Sequence, residues 1–94
     1  MVLERAELLI NPGHEEAFAA AMRDHGNAYL EQCGCRNVRV LRGVENPDKF
    51  IILGEWESVD AHVSARSLEA FGKFRELIAP HTGRGGSMEH FALD

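Results

Sequence analysis

Residues 49–57 begin with a short apolar run that ends in a tryptophan, which predicts a buried β-strand at the centre of the fold when its side chains are assigned to two faces with a period of two. One face of this strand carries Phe50, Ile52, Gly54 and Trp56, and the other carries Ile51, Leu53, Glu55 and Glu57. Both faces begin with large apolar side chains. We therefore expect both faces to be covered.

A helical pattern follows a first strand at residues 2–10. Asn11-Pro12-Gly13 forms a turn, and a helix is predicted over residues 14–32 because two glutamates in its first turn complement the helix dipole. Its apolar stripe at helical spacing comprises Phe18, Ala21, Met22, His25, Ala28 and Tyr29. Gly34 is placed to end this helix in the left-handed conformation.

The remaining segments complete the order strand, helix, strand, strand, helix, strand. Strands at residues 36–43 and 49–57 flank a turn-forming Asn-Pro-Asp cluster, and a strand at 88–93 closes the chain. Ser58 can cap a short helix, and Ser67 can cap the last one. This order is the split βαβ, ferredoxin-like arrangement, an α+β fold with an antiparallel sheet and both helices on one face.

Helices on one face leave the other face of the sheet bare, including Ile51 and Leu53. The 94 residues are expected to form a single domain, 1–94, whose core is small for the surface that it must cover. A second copy packed sheet to sheet about a two-fold axis would cover the apolar patch. We therefore expect a homodimer.

Charge and composition argue against several partners. A net charge of -5 without a stripe of Lys or Arg disfavours nucleic acid and anionic membranes. No apolar run is long enough to span a bilayer, and Glu4, Arg5 and Glu7 interrupt any secretory segment. Cys33 and Cys35 are too close for an unstrained disulfide, so we expect a reducing, cytoplasmic setting. Because further ligands near these thiols are lacking, no metal site is predicted.

Two polar residues lie on predicted apolar helix faces. His25 either faces a pocket or is a core-edge histidine bonded to a backbone carbonyl. The face of the last helix that carries Arg75 also carries Leu68, Phe71, Phe74 and Ile78. Burying an unpaired guanidinium costs several kilocalories per mole, so Arg75 binds an anion, extends to the surface, or pairs with a glutamate such as Glu4.

Several short motifs follow one another in a specific order. They are a Pro-Gly helix start, a Cys-Gly-Cys helix exit before a strand, a hairpin, F-x-x-x-x-E-W-E-S-x-x-A-H at 50–62, and an F-x-x-F helix at 71–74. Together they resemble the antibiotic-biosynthesis monooxygenase domains, which are dimeric α+β barrels, over nearly the whole chain. That family includes cofactor-independent monooxygenases acting on phenols and quinols of polyketide type, quinol oxygenases and haem-degrading enzymes.

The site residues of these branches can be compared with this chain one position at a time. Haem-degrading members have an Asn, a Trp and a His where this chain has Ala6, Ala65 and Arg75, so no axial haem ligand is implied. Polyketide-type members share the Trp-Glu-Ser element at residues 56–58 and an arginine at the position of Arg75. They have a Tyr where this chain has His62, and a strand Asn where it has Ile52.

The resemblance thus implies a cofactor-independent monooxygenase that oxidises a small phenolic or quinol-type aromatic substrate with dioxygen. His62, or His25, would remove the phenol proton, Arg75 would stabilise the oxyanion, and Trp56 would pack against the ring. The residues expected to line the substrate pocket are His25, Phe18, Ile52 and Phe71. Two alternatives stay open: a non-catalytic dimeric module that binds a small aromatic molecule, and an isomerase on the same barrel.

Overall fold

The computed structural model describes residues 1–93, and Asp94, the last residue of the expected domain, lies outside them. The strands are β1 (Val2–Leu9), β2 (Arg36–Arg42), β3 (Lys49–Trp56) and β4 (Gly86–Ala92). The helices are α1 (Glu15–Ala21), α2 (Asn27–Gln32), α3 (Val59–Ala65) and α4 (Glu69–Ile78). A π-helical segment (Met22–Gly26) joins α1 to α2, and a 3-10 turn (Ala79–His81) follows α4. None of these helices has both the length and the apolar character needed to cross a membrane.

The four strands form one antiparallel sheet in the order β2-β3-β1-β4. Ala6 in the central strand β1 lies opposite Ile52 of β3 on one side and Met88 of β4 on the other. Each crossover carries helices that pack on the same face of the sheet, which confirms the predicted ferredoxin-like fold. Strand β4 is an edge, so the space above it lies at the border of the helical layer.

Burial alternates along β3 as its sequence pattern predicts. Phe50, Ile52 and Trp56 are at most 4% exposed beneath the helices, whereas Ile51 and Leu53 on the opposite face stay partly exposed. Full burial of a large apolar side chain contributes roughly 1.5–3 kcal/mol. The core therefore lies between this inner face and the helices.

The π-helical segment changes which side of the first helical stretch faces the core. The buried residues are Phe18, Met22, Gly26 and Leu30, each four positions after the last. In a regular α-helix that series would rotate by about 40° per step, and the wider π turn absorbs part of this rotation. A Cβ on Gly26 would lie 2.6 Å from the Met22 sulfur, so the Met22 side chain would have to move to admit a larger residue.

His25 consequently projects away from the sheet, and its predicted place on the apolar stripe is wrong. Its side chain is exposed and stacks on Tyr29, with 6.4 Å between the ring centroids. The phase of the stripe, not its amphipathic character, was mispredicted.

The chain leaves α2 through Gly34, whose φ of 103° confirms the predicted left-handed helix end. Cys35 then inserts its thiol against Gly54 of β3, where any Cβ would collide with the sulfur. Burial raises the pKa of the Cys35 thiol to about 12. Both cysteines are free, and the high pKa leaves Cys35 without nucleophilic thiolate at neutral pH.

The two predicted serine caps have different outcomes. The backbone N–H of Ala61 donates to Ser58 Oγ at 3.0 Å, which confirms Ser58 as the N-cap of α3. Ser67 does not cap α4, which has Leu68 at its N-cap. The Ser67 hydroxyl instead donates to the carbonyl of Ser64 at 2.9 Å.

No helix of the described chain covers the outer face of the sheet. Besides the half-buried Ile51 and Leu53, it presents Leu41 and Phe91, which are 50% and 45% exposed. Arg5 lies among these apolar side chains and forms an ion pair with Glu7 at 3.3 Å. The bare face expected from the sequence is present, and the homodimer that would cover it stays a prediction.

Candidate active site

A cleft of about 460 Å³ opens to solvent where helices α3 and α4 approach strands β1 and β4. Its apolar walls include Ala6, Leu8, Phe71 and Met88, and the side chains of Glu4, His62 and Arg66 supply its polar groups. This volume falls within the range of about 300–1,000 Å³ that is usual for small-molecule sites. The cleft is therefore large enough for a small aromatic ligand.

A smaller recess of about 90 Å³ adjoins the cleft and extends towards the core. The two cavities share five lining residues, which are Glu4, Ala6, Leu8, His62 and Phe71. Beyond this shared wall the recess is lined by Leu30, Ile52, Phe74 and Ile78. The polar pair Glu4 and His62 thus stands at the border between an open cleft and an apolar interior space.

His62 is held rigidly in helix α3. Its side chain is buried, with 3% of the residue exposed, and it stacks on Trp56 with 4.5 Å between ring centroids and an interplanar angle of 10°. The Ser58 cap fixes the start of α3 one turn earlier. Trp56 therefore supports the imidazole from behind and does not itself line either cavity.

Glu4 reaches the site from the inner face of β1. Its Oε1 accepts a hydrogen bond from Trp56 Nε1 at 2.8 Å and lies 3.5 Å from His62 Nε2. Burial raises the pKa of Glu4, although the Trp56 hydrogen bond and the charges of His90 and Arg66 oppose that shift. The carboxylate is consequently more basic than a glutamate in water.

His90 completes a chain of three titratable side chains. It lies opposite Glu4 in the β1–β4 register, and its Nε2 is 2.8 Å from His62 Nδ1. Burial, together with the charges of His90 and Arg66, lowers the pKa of His62 to about 4. At neutral pH His62 is thus uncharged, and the tautomer that donates from Nδ1 to His90 leaves Nε2 free to accept a proton.

These three groups do not form a metal-binding cluster. Glu4 approaches Nε2 of His62 whereas His90 approaches Nδ1, so the ligand atoms lie along the two edges of one ring instead of around one point. Within residues 1–93, no three His, Cys, Asp or Glu side chains converge in a way that could hold a metal ion. The arrangement is suited to proton transfer.

Two arginines differ in their relation to the cleft. Arg66 follows α3 directly, lines the cleft, and makes no ion pair within the described residues. Arg75 is exposed and lines neither cavity, and its guanidinium lies 4.8 Å from the centroid of the Phe71 ring. Arg66 is thus the cation placed to meet an anionic group in the cleft.

The model of the family described as antibiotic biosynthesis monooxygenase matches residues 1–77. The chain belongs to this family. Among solved structures it is similar to a "putative antibiotic biosynthesis monooxygenase" from Bordetella bronchiseptica, at 26% identity and a TM-score of 0.87, over 99% of this chain and 96% of that one. A protein of the same description from Nitrosomonas europaea has 13% identity and a TM-score of 0.78, over 98% and 97%. At 13% identity the likeness shows the fold alone, and comparison with curated proteins gives no match.

Of the residues that the resemblance to antibiotic biosynthesis monooxygenases selected, His62 and Phe71 line both cavities, and Ile52 lines the recess. Phe18 lies in the core against Phe50, with 4.9 Å between ring centroids, and lines neither cavity. His25 is exposed on the far side of its helix. The structure therefore brings together His62, Phe71 and Ile52, with Trp56 directly behind His62.

The sequence alone did not predict Glu4, His90 or Arg66 as site residues. The pattern of β1 did contain one signal, since Glu4 shares a face with Val2, Ala6 and Leu8. An acidic residue on an otherwise apolar strand face needs either a partner or a function. His90 and Arg66 carry no comparable signal, because their proximity to Glu4 depends on the β1–β4 register and the end of α3.

Proposed function

We propose that the protein is a cofactor-independent monooxygenase that oxidises a small phenolic or quinol-type aromatic substrate with dioxygen. One observation carries the proposal: a buried Glu4–His62 pair borders an apolar cleft that is open to solvent. Family membership supports oxygenase chemistry in general terms. The cleft supports this substrate class, because it offers apolar walls for a ring and basic groups for a hydroxyl proton.

Substrate activation begins with the hydroxyl proton. A phenol lying along Phe71 would present its hydroxyl to His62 Nε2, which accepts the proton while Nδ1 stays bonded to His90. Because burial lowers the pKa of His62 and raises that of Glu4, the proton passes from His62 Nε2 to the Glu4 carboxylate, 3.5 Å away. Arg66 faces the phenolate charge from the cleft and takes the role that the sequence had suggested for Arg75.

The oxidation then needs no external reductant. A ring carbon of the phenolate forms a bond to one atom of dioxygen, and the resulting peroxide takes up the proton held by the Glu4–His62 pair. Loss of the remaining hydrogen on that carbon as a proton, with cleavage of the O–O bond, expels water and leaves a carbonyl. Phenol and dioxygen thereby give quinone and water, with all four electrons supplied by the substrate.

Oxygen uptake with a panel of dihydroxynaphthalenes and anthrones tests the proposal. General acid–base catalysis contributes about 10²–10⁴-fold, so we expect His62→Gln and Glu4→Gln to lower kcat within that range. Lys73→Gln, at an exposed position of α4, serves as the matched control. If His62→Gln consumes oxygen at the wild-type rate, His62 is not the base and the proposed chemistry is refuted.

The two arginines are separated by the same assay. Arg66→Gln should raise KM or lower kcat for phenolic substrates, whereas Arg75→Gln should leave both constants close to their wild-type values. The opposite result would restore Arg75 to the oxyanion role and remove Arg66 from it.

An isomerase is the second candidate, because the Glu4–His62 pair is sufficient for proton transfer without dioxygen. Such an enzyme would convert substrate equally well under nitrogen and in air. A non-catalytic module would bind aromatic molecules in the cleft without converting them in either atmosphere. Anaerobic incubation followed by product analysis distinguishes all three functions.

A further inference from the structure

The small recess behind Glu4 and His62 has features that the proton-transfer site does not use. Its inner wall is formed by Leu30, Ile52 and Phe74, which are 4–8% exposed, whereas Arg66, Ser87 and Met88, which line only the cleft, are exposed. The recess is therefore an inward extension of the cleft into the core. A molecule in it would contact the substrate side through the wall that the two cavities share, which is formed by Glu4, Ala6, Leu8, His62 and Phe71.

The inner part of the recess, beyond Glu4 and His62, is poorly suited to water. A buried water normally makes 2–4 hydrogen bonds, and Glu4 and His62 are the only polar side chains among the lining residues. Glu4 Oε1 already accepts from Trp56 and His62 Nδ1 is already bonded to His90, so only Glu4 Oε2 and His62 Nε2 remain for a water, both at the border with the cleft. Apolar cavities of this kind stay dry and take up apolar guests.

The volume limits what that guest is. An apolar protein cavity of about 150 Å³ accommodates benzene or xenon, and the recess is smaller, at about 90 Å³. An aromatic ring would not fit without movement of the core, but a diatomic gas or a single methyl group would. The 460 Å³ cleft beside it has the size for the ring itself.

We infer that the recess is a binding site for dioxygen, held beside the aromatic substrate in the cleft. This inference rests on the proposed oxygenase function, and it specifies where dioxygen, the second substrate, binds before the reaction. Dioxygen in the recess meets the activated ring at the shared wall, next to the base. A methyl substituent of the aromatic substrate has the same small apolar character and is the competing occupant, which the experiment separates from dioxygen.

The first arm of the test uses xenon, which needs no enzymatic activity. We expect crystals pressurised with xenon to show one atom in the recess of the wild-type protein and none in Leu30→Phe, which fills it. Leu68→Phe, the same substitution at a residue that is 46% exposed and lines neither cavity, should keep the xenon. Should Leu30→Phe not fold, Leu30→Ala enlarges the recess and should increase xenon occupancy. Ordered water in the recess, or no xenon there, would overturn the inference.

The second arm separates dioxygen from a substrate methyl group. In Leu30→Phe we expect the KM for dioxygen to rise about tenfold, equivalent to about 1.4 kcal/mol of lost binding, with the KM for the aromatic substrate unchanged. A rise in the aromatic KM alone would assign the recess to a substituent and refute the dioxygen site. If no aromatic compound is oxidised at all, the proposed function fails, and the xenon arm alone decides whether the recess takes a small apolar guest.

Discussion

Acid titration of His62 provides a quantitative test of the candidate site. An unperturbed histidine has a pKa near 6.5, and burial lowers the pKa of His62 to about 4. Below pH 6.5 the unfolded chain therefore binds a proton that the folded protein excludes, so stability falls as the pH decreases from about 6.5 to about 4. At 1.36 kcal/mol per pKa unit, His62 alone removes about 3 kcal/mol over this interval.

A loss of that size is a large part of the 5–15 kcal/mol that typically stabilises a folded domain. Urea unfolding between pH 7 and pH 4 measures it, with fluorescence from Trp56, the only tryptophan in the chain, as the signal. We expect the wild-type protein to lose about 3 kcal/mol more than His62→Gln across this range. His25→Gln, at an exposed histidine, should follow the wild-type profile.

Other titrating groups do not produce this difference. Because the pKa of Glu4 is raised in the folded protein, protonation of Glu4 increases the stability of the fold as the pH falls. Both proteins contain Glu4, so this contribution largely cancels when their stabilities are compared. Parallel pH profiles for wild type and His62→Gln would refute the reasoning. So would an NMR titration that places the pKa of His62 near 6.5.

Three further predictions concern packing, capping and association. Gly54→Ala should lower the free energy of unfolding by about 1–3 kcal/mol because its Cβ meets the Cys35 sulfur, and a Cys35→Ala background should recover most of that loss in urea unfolding. Ser58→Ala should cost about 1 kcal/mol through loss of the α3 cap, and equal losses in Ser58→Ala and Ser67→Ala would contradict the assigned caps. Wild-type protein should be a dimer by light scattering and Leu53→Lys a monomer, whereas a monomeric wild type would exclude pairing through the outer face.

The parts of the fold that depend on local patterns could be predicted from the sequence. Alternation along β3 assigned Ile52 and Trp56 to the inner face, because side chains of a strand point to opposite sides at every step. The Ser58 cap and the left-handed Gly34 follow from the preferences of single residues at helix ends. Each of these features requires information from only a few neighbouring positions.

The first helical stretch shows where such reasoning fails. A π-helical segment of five residues shifts the phase of the helix, and the hydrophobic periodicity of the sequence does not reveal it. The shift turns His25 to the surface and buries Leu30 beside the recess. His25 is therefore not placed to act as a base in the site, and Leu30 forms part of the recess wall.

The site itself depended on information that no single segment carries. His62 could be selected from its own motif, but its partners come from two strands that lie at opposite ends of the chain. Glu4 stood on the correct strand face, yet only the pairing of β1 with β4 brings His90 opposite it. The sequence therefore identified His62 as a site residue, but it did not show that Glu4 and His90 lie beside its imidazole.

Glu4 offers a way to distinguish a site kept for chemistry from a structural ion pair. Its raised pKa means that ionised Glu4 destabilises the folded protein at neutral pH, and that stability is gained as the pH falls through the folded-state pKa. Glu4→Gln removes the buried charge and keeps an oxygen for the Trp56 N–H, so it should be more stable than wild type at pH 7, with the difference disappearing once Glu4 is protonated. If Glu4 and His62 instead formed a structural ion pair, which requires His62 to be protonated at pH 7, the same substitution would lower stability, because it would leave the imidazolium uncompensated. Greater stability combined with loss of oxygen uptake would therefore indicate that the carboxylate is retained at a cost to the fold, which is the expected signature of a catalytic group.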